Sequence, residues 1–202
     1  MIMSHRFAEI AFTPSVKKAQ EDNGSRQSYA RLEVGESHHD ALGPRETAFI
    51  AQRDSLYMAT VSETGWPYIQ HRGGSPGFIR VLDQKTIGFA DFRGNRQYVS
   101  VGNLATDDRV SMILMDYPNR ARLKILGRAR LVGPEAKEIL DRLSLPDYRA
   151  VVERGFVITI EAFDWNCPQH ITPRFTPAEI ETAVAPLRQR LAELEQMLEE
   201  KP

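Results

Sequence analysis

The chain contains a single cysteine, Cys167, among its 202 residues. This excludes a disulfide framework within the chain, and it argues against a zinc cluster because thiolate sites usually need several closely spaced cysteines. The formal net charge of −1 leaves no overall basic charge for binding nucleic acid or an anionic membrane. No apolar run is long enough for a signal peptide or a membrane-spanning helix. These absences predict a cytoplasmic protein without a metal site.

The short motifs of several enzyme classes are also missing. The sequence has neither a P-loop nor a G-x-G-x-x-G fingerprint. Ser75 precedes a proline instead of lying in a nucleophile elbow, and Cys167 has no activating base near it in the sequence. The five histidines are scattered, so no nucleophile with a partner base can be assembled. No catalytic residue is therefore assigned.

Short segments of alternating apolar and polar residues, joined by tight turns, dominate the middle of the chain. This pattern is typical of antiparallel strands, and a hydrophobic content of 42% is enough for a sizeable core. So many strands in a short chain favour closure into a barrel, which removes exposed sheet edges. The dense apolar segment over 110–115 is expected to be central. The predicted strands are 56–62, 68–72, 78–82, 86–90, 110–115, 122–132 and 156–163, with short helices at 46–53 and 135–143.

The composition divides the chain into three parts. A polar N-terminal arm covers 1–46, the strand-rich domain covers 47–165, and a loop with a C-terminal helix covers 166–202. The sequence Thr-Pro-Ala-Glu over 176–179 predicts a capping box at the start of that helix, with proline at its first position. Pro186 is expected to kink or restart the helix.

The C-terminal helix carries leucines on one face. Leu187, Leu191, Leu194 and Leu198 follow one another at spacings of four, three and four. Two interpretations stay open, because two heptads do not decide between them: a coiled-coil contact with a partner chain, or a helix lying on its own barrel. This tail and the apolar strand faces need more surface than one small barrel offers, which favours a homodimer.

The most informative segment is Gly88–Leu104, which predicts a strand end, a basic and polar turn, and a helix over 96–106. Free backbone N–H groups and the helix dipole favour an anion at such a position, and an arginine adds a planar fork suited to phosphate. The alternative is an ordinary solvated loop. The donors would come from Gly94, Asn95, Arg96 and Gln97.

Two further segments carry basic residues. Arg72 ends a predicted strand and is followed by Gly73-Gly74, where a ligand or another backbone segment can approach closely. Arg122 and Lys124 alternate with apolar residues, so one face of their strand is cationic. That face is either solvated or placed beside an electron-rich ring, where it would stabilise a reduced, anionic cofactor. A protein that binds phosphate but lacks acid–base machinery fits one whose cofactor performs the chemistry.

Taken together, these segments resemble the pyridoxamine 5′-phosphate oxidase-like, FMN-binding split-barrel family. The resemblance is carried by WPYIQHRGGSPGFIRVLD, TIGFADFRGNRQYVSVGNL and DDRVSMILMDYPNRARLKILGRARLV, while FDWNCPQHITPRF resembles one oxidase branch within the family. It implies a mainly β (α+β) fold, an antiparallel six- to seven-stranded split β-barrel with flanking helices and a C-terminal helix. It also implies a homodimer with two FMN molecules bound across the subunit interface.

The resemblance also implies which residues bind the cofactor. One group would line the flavin ring, the ribityl chain and the phosphate, and two basic residues would approach the pyrimidine side of the ring. Two late residues would close the pocket from the partner chain. In that order, the implied residues are Gln70, His71, Arg72, Phe89, Ala90, Asp91, Asn95, Arg96 and Gln97, then Arg122 and Lys124, then Gln169 and Arg174.

The sequence departs from the family where the vitamin-forming oxidase holds its substrate. Arg174 has no closely spaced histidine partner, which argues against pyridoxamine phosphate as the substrate. The expected function is thus an FMN-dependent oxidoreductase of unassigned substrate, acting with a small-molecule electron donor and acceptor. The alternative is a flavin- or haem-binding carrier or sensor without turnover, in which His71 or His170 would be an axial ligand. A deazaflavin cofactor is a third possibility.

Overall fold

The computed structural model describes residues 3–34, 36–145, 148–165 and 167–199. The helices are α1 (Arg6–Ala11), α2 (Pro14–Asp22), α3 (Arg26–Ala30), α4 (Pro44–Ala51), α5 (Val99–Asn103), α6 (Lys137–Leu143) and α7 (Pro177–Glu199), with a 3₁₀ turn at Arg31–Glu33. The strands are β1 (Met3–His5), β2 (Glu36–His38), β3 (Ser55–Val61), β4 (Pro67–Gly73), β5 (Arg80–Asp83), β6 (Thr86–Phe92), β7 (Arg109–Asp116), β8 (Ala121–Val132) and β9 (Val152–Trp165).

One antiparallel sheet dominates the fold. Within the described residues it has seven strands in the order β4-β3-β7-β8-β9-β6-β5, while β1 and β2 form a small parallel pair. Burial alternates along β7 and through most of β8, as expected where one face of a strand packs on the core. The predicted mainly β fold with antiparallel strands, flanking helices and a C-terminal helix is confirmed.

The sheet curls around its core. Buried side chains from strands far apart in the sheet order, such as Met58 on β3 and Phe89 on β6, belong to the same hydrophobic cluster. Arg72 on the edge strand β4 also contacts Asp91 on β6, although the two strands are not neighbours in the sheet. We call this junction the β4–β6 seam. The seam is closed by side chains and not by backbone hydrogen bonds between the two strands. This leaves room for a cavity.

Some predicted boundaries are corrected by the structure. The helix expected over 96–106 is only α5, because Arg96 and Tyr98 have positive φ angles of 60° and 53° and stand outside any helix. The strand expected over 78–82 starts at Arg80, after two buried residues in a loop. The central strand of the sheet is β8, and β7, which contains 110–115, lies one place from it.

Two compact units make up the chain. The first comprises Met1–Met115 and Arg122–Cys167, and the second comprises Asp116–Ala121 and Pro168–Pro202. In the second unit, the Thr176 amide donates to Glu179 Oε2 at 2.7 Å and the Glu179 amide donates to Thr176 Oγ1 at 3.2 Å, which confirms the predicted capping box. Helix α7 continues through Pro186 and does not restart there. No helix in the described part of the chain has the length and apolar character needed to span a membrane.

A bulge between β8 and β9 depends on a glycine. The pairing register shifts between Leu126 and Gly127, since Leu126 faces Ala162 whereas Gly127 faces Ile160. A Cβ at Gly127 would lie 2.6 Å from the carbonyl oxygen of Thr159. That oxygen belongs to the backbone of the paired strand, so the contact cannot be relieved by a change of rotamer.

We therefore expect Gly127→Ala to lower the free energy of unfolding by about 1–3 kcal/mol, the usual cost of overpacking a filled site. Chemical denaturation measures the change. Gly102→Ala is the matched control, because a Cβ there meets no atom within 4 Å. The control should be neutral or stabilise the protein by up to about 1 kcal/mol, since alanine favours helix. Equal stability of the two variants would contradict the assignment of the bulge.

Candidate functional site

A cavity of about 230 Å³ lies at the β4–β6 seam. Its walls come from β4, from β6 and the loop after it, from α5 and from the start of β9. Charged and polar side chains dominate this lining. The first cavity, as we call it, is lined by Gln70, Arg72, Asp91, Phe92, Gly94, Asn95, Arg96, Tyr98, Ser100, Val101 and Glu153.

A second cavity of about 190 Å³ adjoins the first and shares part of its lining. Gln70, Arg72, Asp91, Phe92 and Gly94 border both spaces. The second cavity is further lined by His71, Gly73, Phe78, Phe89 and Ala90. Eight of the predicted cofactor residues thus line one or both of these cavities: Gln70, His71, Arg72, Phe89, Ala90, Asp91, Asn95 and Arg96.

An ion pair holds the floor of the first cavity. Arg72 Nη1 is 2.5 Å from Asp91 Oδ1, and both side chains are largely buried. Arg154 stands opposite Asp91 in the β6–β9 register, with its Nε 3.4 Å from the other carboxylate oxygen. Burial raises the pKa of Asp91 above its ordinary value, and the positive charges of Arg72 and Arg154 oppose that rise.

The two arginines retain unused donors. Nε of Arg72 and Nε of Arg154 are buried without a hydrogen-bond acceptor among the described residues. The guanidinium of Arg72 also lies 4.8 Å from the centre of the Phe156 ring, which fixes its plane. A buried donor without a hydrogen-bond acceptor is unfavourable, although Arg154 Nε is still close to the Asp91 carboxylate.

A second carboxylate, that of Glu153, is the shared acceptor for several donors at the edge of the first cavity. Glu153 accepts hydrogen bonds from Arg93 Nε at 2.8 Å, from Arg154 Nη2 at 3.0 Å and from the Tyr98 hydroxyl at 3.1 Å. These hydrogen bonds, that of Arg93 first, lower the pKa of Glu153. Arg96 Nε donates to the Tyr98 hydroxyl at 3.2 Å, and this bond raises the pKa of Arg96. Arg96 is therefore linked to Glu153 through the tyrosine.

The loop between β6 and α5 presents free backbone donors to the same space. Within the described chain, the N–H groups of Gly94, Asn95, Arg96 and Tyr98 have no acceptor, whereas that of Gln97 bonds Asn95 Oδ1 at 3.2 Å. The loop therefore has unpaired amides and borders the same cavity as Arg72 and Arg96, while its role as an anion site stays a prediction. The donors belong to a turn with positive φ angles and not to the first turn of a long helix.

Helix α5 is fixed to the sheet by polar contacts. Ser100 donates to Gln70 Oε1 at 3.2 Å, and the buried Asn103 donates to Thr60 at 2.9 Å. The sequence prediction included neither Ser100 nor Tyr98 and Glu153. The charged pair Glu153-Arg154 before an apolar strand was the available signal, but only the pairing of β6 with β9 places it at the cavity.

The paired glycines, Gly73 and Gly74, allow close packing of the chain against itself. A Cβ at Gly74 would lie 2.8 Å from Phe78 Cβ, and one at Gly73 would lie 3.3 Å from the carbonyl oxygen of Asp54. The close approach predicted here is therefore made by the chain itself. His71 lies on the same strand, β4, but its side chain is exposed. Its ring contacts that of Tyr57, with 5.4 Å between the two ring centres.

The two predicted basic residues of β8 have different surroundings. Lys124 forms an ion pair with Asp164 at 2.8 Å and lies 4.6 Å from the centre of the Phe7 ring. It borders another cavity, of about 330 Å³, which the N-terminal segment covers. Arg122 is half-buried, and its Nε has no acceptor among the described residues. Neither residue borders the first or the second cavity.

The two late residues belong to the second unit. Gln169 is exposed, and the guanidinium of Arg174 lies 4.9 Å from the centre of the Tyr117 ring in the same unit. Their expected role in closing the pocket from a partner chain stays a prediction. Across the described ranges, no group of three or more histidine, cysteine or acidic side chains has the arrangement of a metal site.

Comparison with known proteins gives one family. A family model described as pyridoxamine 5′-phosphate oxidase matches residues 42–157, a range that contains every residue lining the two cavities. No curated protein matches the chain.

Several solved structures are similar. HupZ from Group A Streptococcus is 16% identical, with a TM-score of 0.47, and the match covers 66% of this chain and 99% of HupZ. A Clostridium acetobutylicum protein related to general stress protein 26 of B. subtilis, from the pyridoxinephosphate oxidase family, is 16% identical, with 67% and 94% coverage and a TM-score of 0.44. Atu2129 of Agrobacterium tumefaciens, of unknown function, is 22% identical, with 65% and 56% coverage and a TM-score of 0.43.

The ion pair at the seam should contribute to stability. We expect Arg72→Met and Asp91→Asn each to lower the free energy of unfolding by about 2–4 kcal/mol, because each leaves a largely buried charge without its main partner. The double variant should lose less than the sum, and the difference measures the coupling. Arg128→Met is the control: its partner Asp108 is about half exposed, so the loss should stay below about 1 kcal/mol. Additive losses at Arg72 and Asp91 would contradict the coupling.

Proposed function

Because the chain belongs to the pyridoxamine 5′-phosphate oxidase family, we propose that it is an FMN-dependent oxidoreductase of unassigned substrate. One observation carries the proposal. Arg72 and Arg96, from separate elements, border one cavity beside free backbone amides. Guanidinium forks and amide donors are the groups that hold a phosphate in proteins. The phosphate of FMN is the anion that this cavity would bind.

The donors present in the cavity support a phosphate. The amides from Gly94 to Arg96 are unused in the described chain, and Arg72 and Arg96 border the same cavity. A Cβ at Gly94 would meet no atom within 4 Å, so the loop leaves open space where an anion would enter. Asp91 would keep Arg72 in place, while Arg96 would approach from the rim.

The second cavity supports a site for the rest of the cofactor. Gln70 and Asp91 border both spaces and would contact the ribityl chain, with His71, Phe89 and Ala90 further along. Both cavities are partly open to solvent, so one protomer would leave a tricyclic ring exposed. A homodimer that covers the ring is part of the proposal, with Gln169 and Arg174 contributed by the partner chain.

Bound FMN would supply the redox chemistry, since flavins transfer hydride and single electrons. The residues of this chain would bind and orient the cofactor. The Arg72–Asp91 pair would fix the phosphate end, and the walls at Phe89 and Ala90 would exclude water. An approach of Arg122 to the ring, where it would stabilise negative charge on reduction, stays a prediction.

We expect the purified protein to be yellow, with the two-band absorption of a flavin, and to release FMN on denaturation as identified by mass. Arg96→Gln should weaken FMN binding by about 10- to 100-fold, the loss expected for one charge-assisted hydrogen bond. Riboflavin lacks the phosphate, so its weaker binding should not change in this variant. Arg109→Gln is the control, because Arg109 is exposed and paired with Asp107 away from the cavity.

Other results would redirect the proposal. A colourless protein that ignores added FMN would contradict it, and a Soret band would indicate haem instead. Equal losses of FMN and riboflavin affinity in Arg96→Gln would show that the arginine does not contact the phosphate. With FMN bound, failure to oxidise reduced nicotinamides or other donors would favour a carrier without turnover.

Glu153 should compete with the phosphate. Its carboxylate holds Arg93, Arg154 and Tyr98 at the rim of the first cavity, and its lowered pKa keeps it ionised. We expect Glu153→Gln to bind FMN about fivefold more tightly, because one negative charge that repels the phosphate is removed. Isothermal titration measures this change, and riboflavin affinity should stay constant. Weaker FMN binding would mean that Glu153 positions the donors and does not compete.

A further inference from the structure

Helix α7 has no buried residue along its whole length. Its large apolar side chains are instead exposed, for example Leu187 at 70% and Leu198 at 68%. Six apolar residues recur at alternating spacings of four and three. We call them the apolar stripe: Ile180, Val184, Leu187, Leu191, Leu194 and Leu198.

These spacings are those of a coiled-coil seam. In heptad notation, Val184, Leu191 and Leu198 occupy a positions, and Ile180, Leu187 and Leu194 occupy d positions. The stripe spans nearly the whole helix. Ile180 and Val184 extend the pattern of the four leucines by one heptad towards the N-terminus of the helix. Pro186 falls at a c position, so it lies off the stripe.

A helix of this kind needs a partner. Isolated helices are marginal in water, and the proline removes one backbone hydrogen bond from the interior of α7. The ion pairs on its surface, such as Arg190–Glu193 at 2.9 Å, are exposed and add little stability. Burial of the apolar stripe is the remaining source of stability.

We propose that α7 pairs in parallel and in register with α7 of a second copy of this chain. The charges beside the stripe favour this partner and this direction. Arg190 is at a g position and Glu195 at the following e position, and a parallel pair brings these opposite charges together on both sides. An antiparallel pair with the stripes overlapped would bring Arg190 towards Arg190 of the partner subunit, and Arg188 towards Arg188 of the partner subunit. The proposal does not depend on FMN binding.

Disulfide trapping tests the partner and the direction. The experiment uses the full chain with Cys167→Ser, so that an introduced cysteine is the only thiol. Leu191→Cys places the thiol at an a position, whereas Gln189→Cys, the matched control, places it at the outward f position. Under mild oxidation we expect about tenfold more covalent dimer from Leu191→Cys than from the control, because a parallel pair brings position 191 of both copies within disulfide reach.

The other arrangements give different products. In an antiparallel pair, a mixture of Leu187→Cys and Leu191→Cys proteins would form the mixed dimer in preference to either symmetric one. Packing of α7 on its own barrel, or on a different protein, would give no covalent dimer from either thiol in the purified chain. Each of these results would overturn the proposal.

A charge exchange gives a second readout. We expect Glu195→Arg to weaken the helix pairing about fivefold at low salt, because it replaces an attractive contact by a repulsive one on both sides. Arg190→Glu combined with Glu195→Arg should restore the pairing. The yield of covalent dimer from the Leu191→Cys background measures both effects. No rescue in the double variant would contradict the parallel register. Flavin absorbance of the same samples separates this result from a failure of the proposed function.

Discussion

The ion pair between Arg72 and Asp91 is the contact on which the site depends. It joins strands β4 and β6, which have no backbone hydrogen bonds to each other, and so closes the curled sheet by side chains. Its atoms are largely buried, and burial alone would favour a neutral Asp91. Arg154, opposite Asp91 on β9, adds a second positive charge that, with Arg72, opposes the rise in the pKa of Asp91. Because side chains, and not backbone hydrogen bonds, close the sheet between β4 and β6, space remains there for the two cavities.

Charge in the lining of the first cavity is balanced. Arg72 and Arg96 are matched there by Asp91 and Glu153, while the free donors are loop amides. Under the proposed function, an anion would have to offer several acceptors at once to replace what the two carboxylates already provide. A phosphate would do so with three oxygens, whereas a single carboxylate offers two.

The two units of the chain meet different requirements. In the first, apolar side chains are covered by the curled sheet and its helices, so the unit has its own core. In the second, the long helix carries as regular an apolar pattern but covers none of it. A proline and exposed ion pairs do not stabilise such a helix alone. Burial of apolar surface thus stabilises the first unit from within, whereas the second unit leaves the apolar pattern of its helix exposed in the described chain.

Local pattern determined much of this protein. Alternation predicted the antiparallel strands, the capping box at Thr176 predicted the start of α7, and the basic turn with Arg96 marked a loop that borders the first cavity. These features depend on neighbours a few residues apart, which a single sequence displays. The positive φ angles of Arg96 and Tyr98, the role of Gly127 at a bulge, and the meeting of Arg72, Asp91, Glu153 and Arg154 were decided by the tertiary structure. Strand register and sheet curvature bring together residues far apart in the chain, and neither leaves a local signal in the sequence.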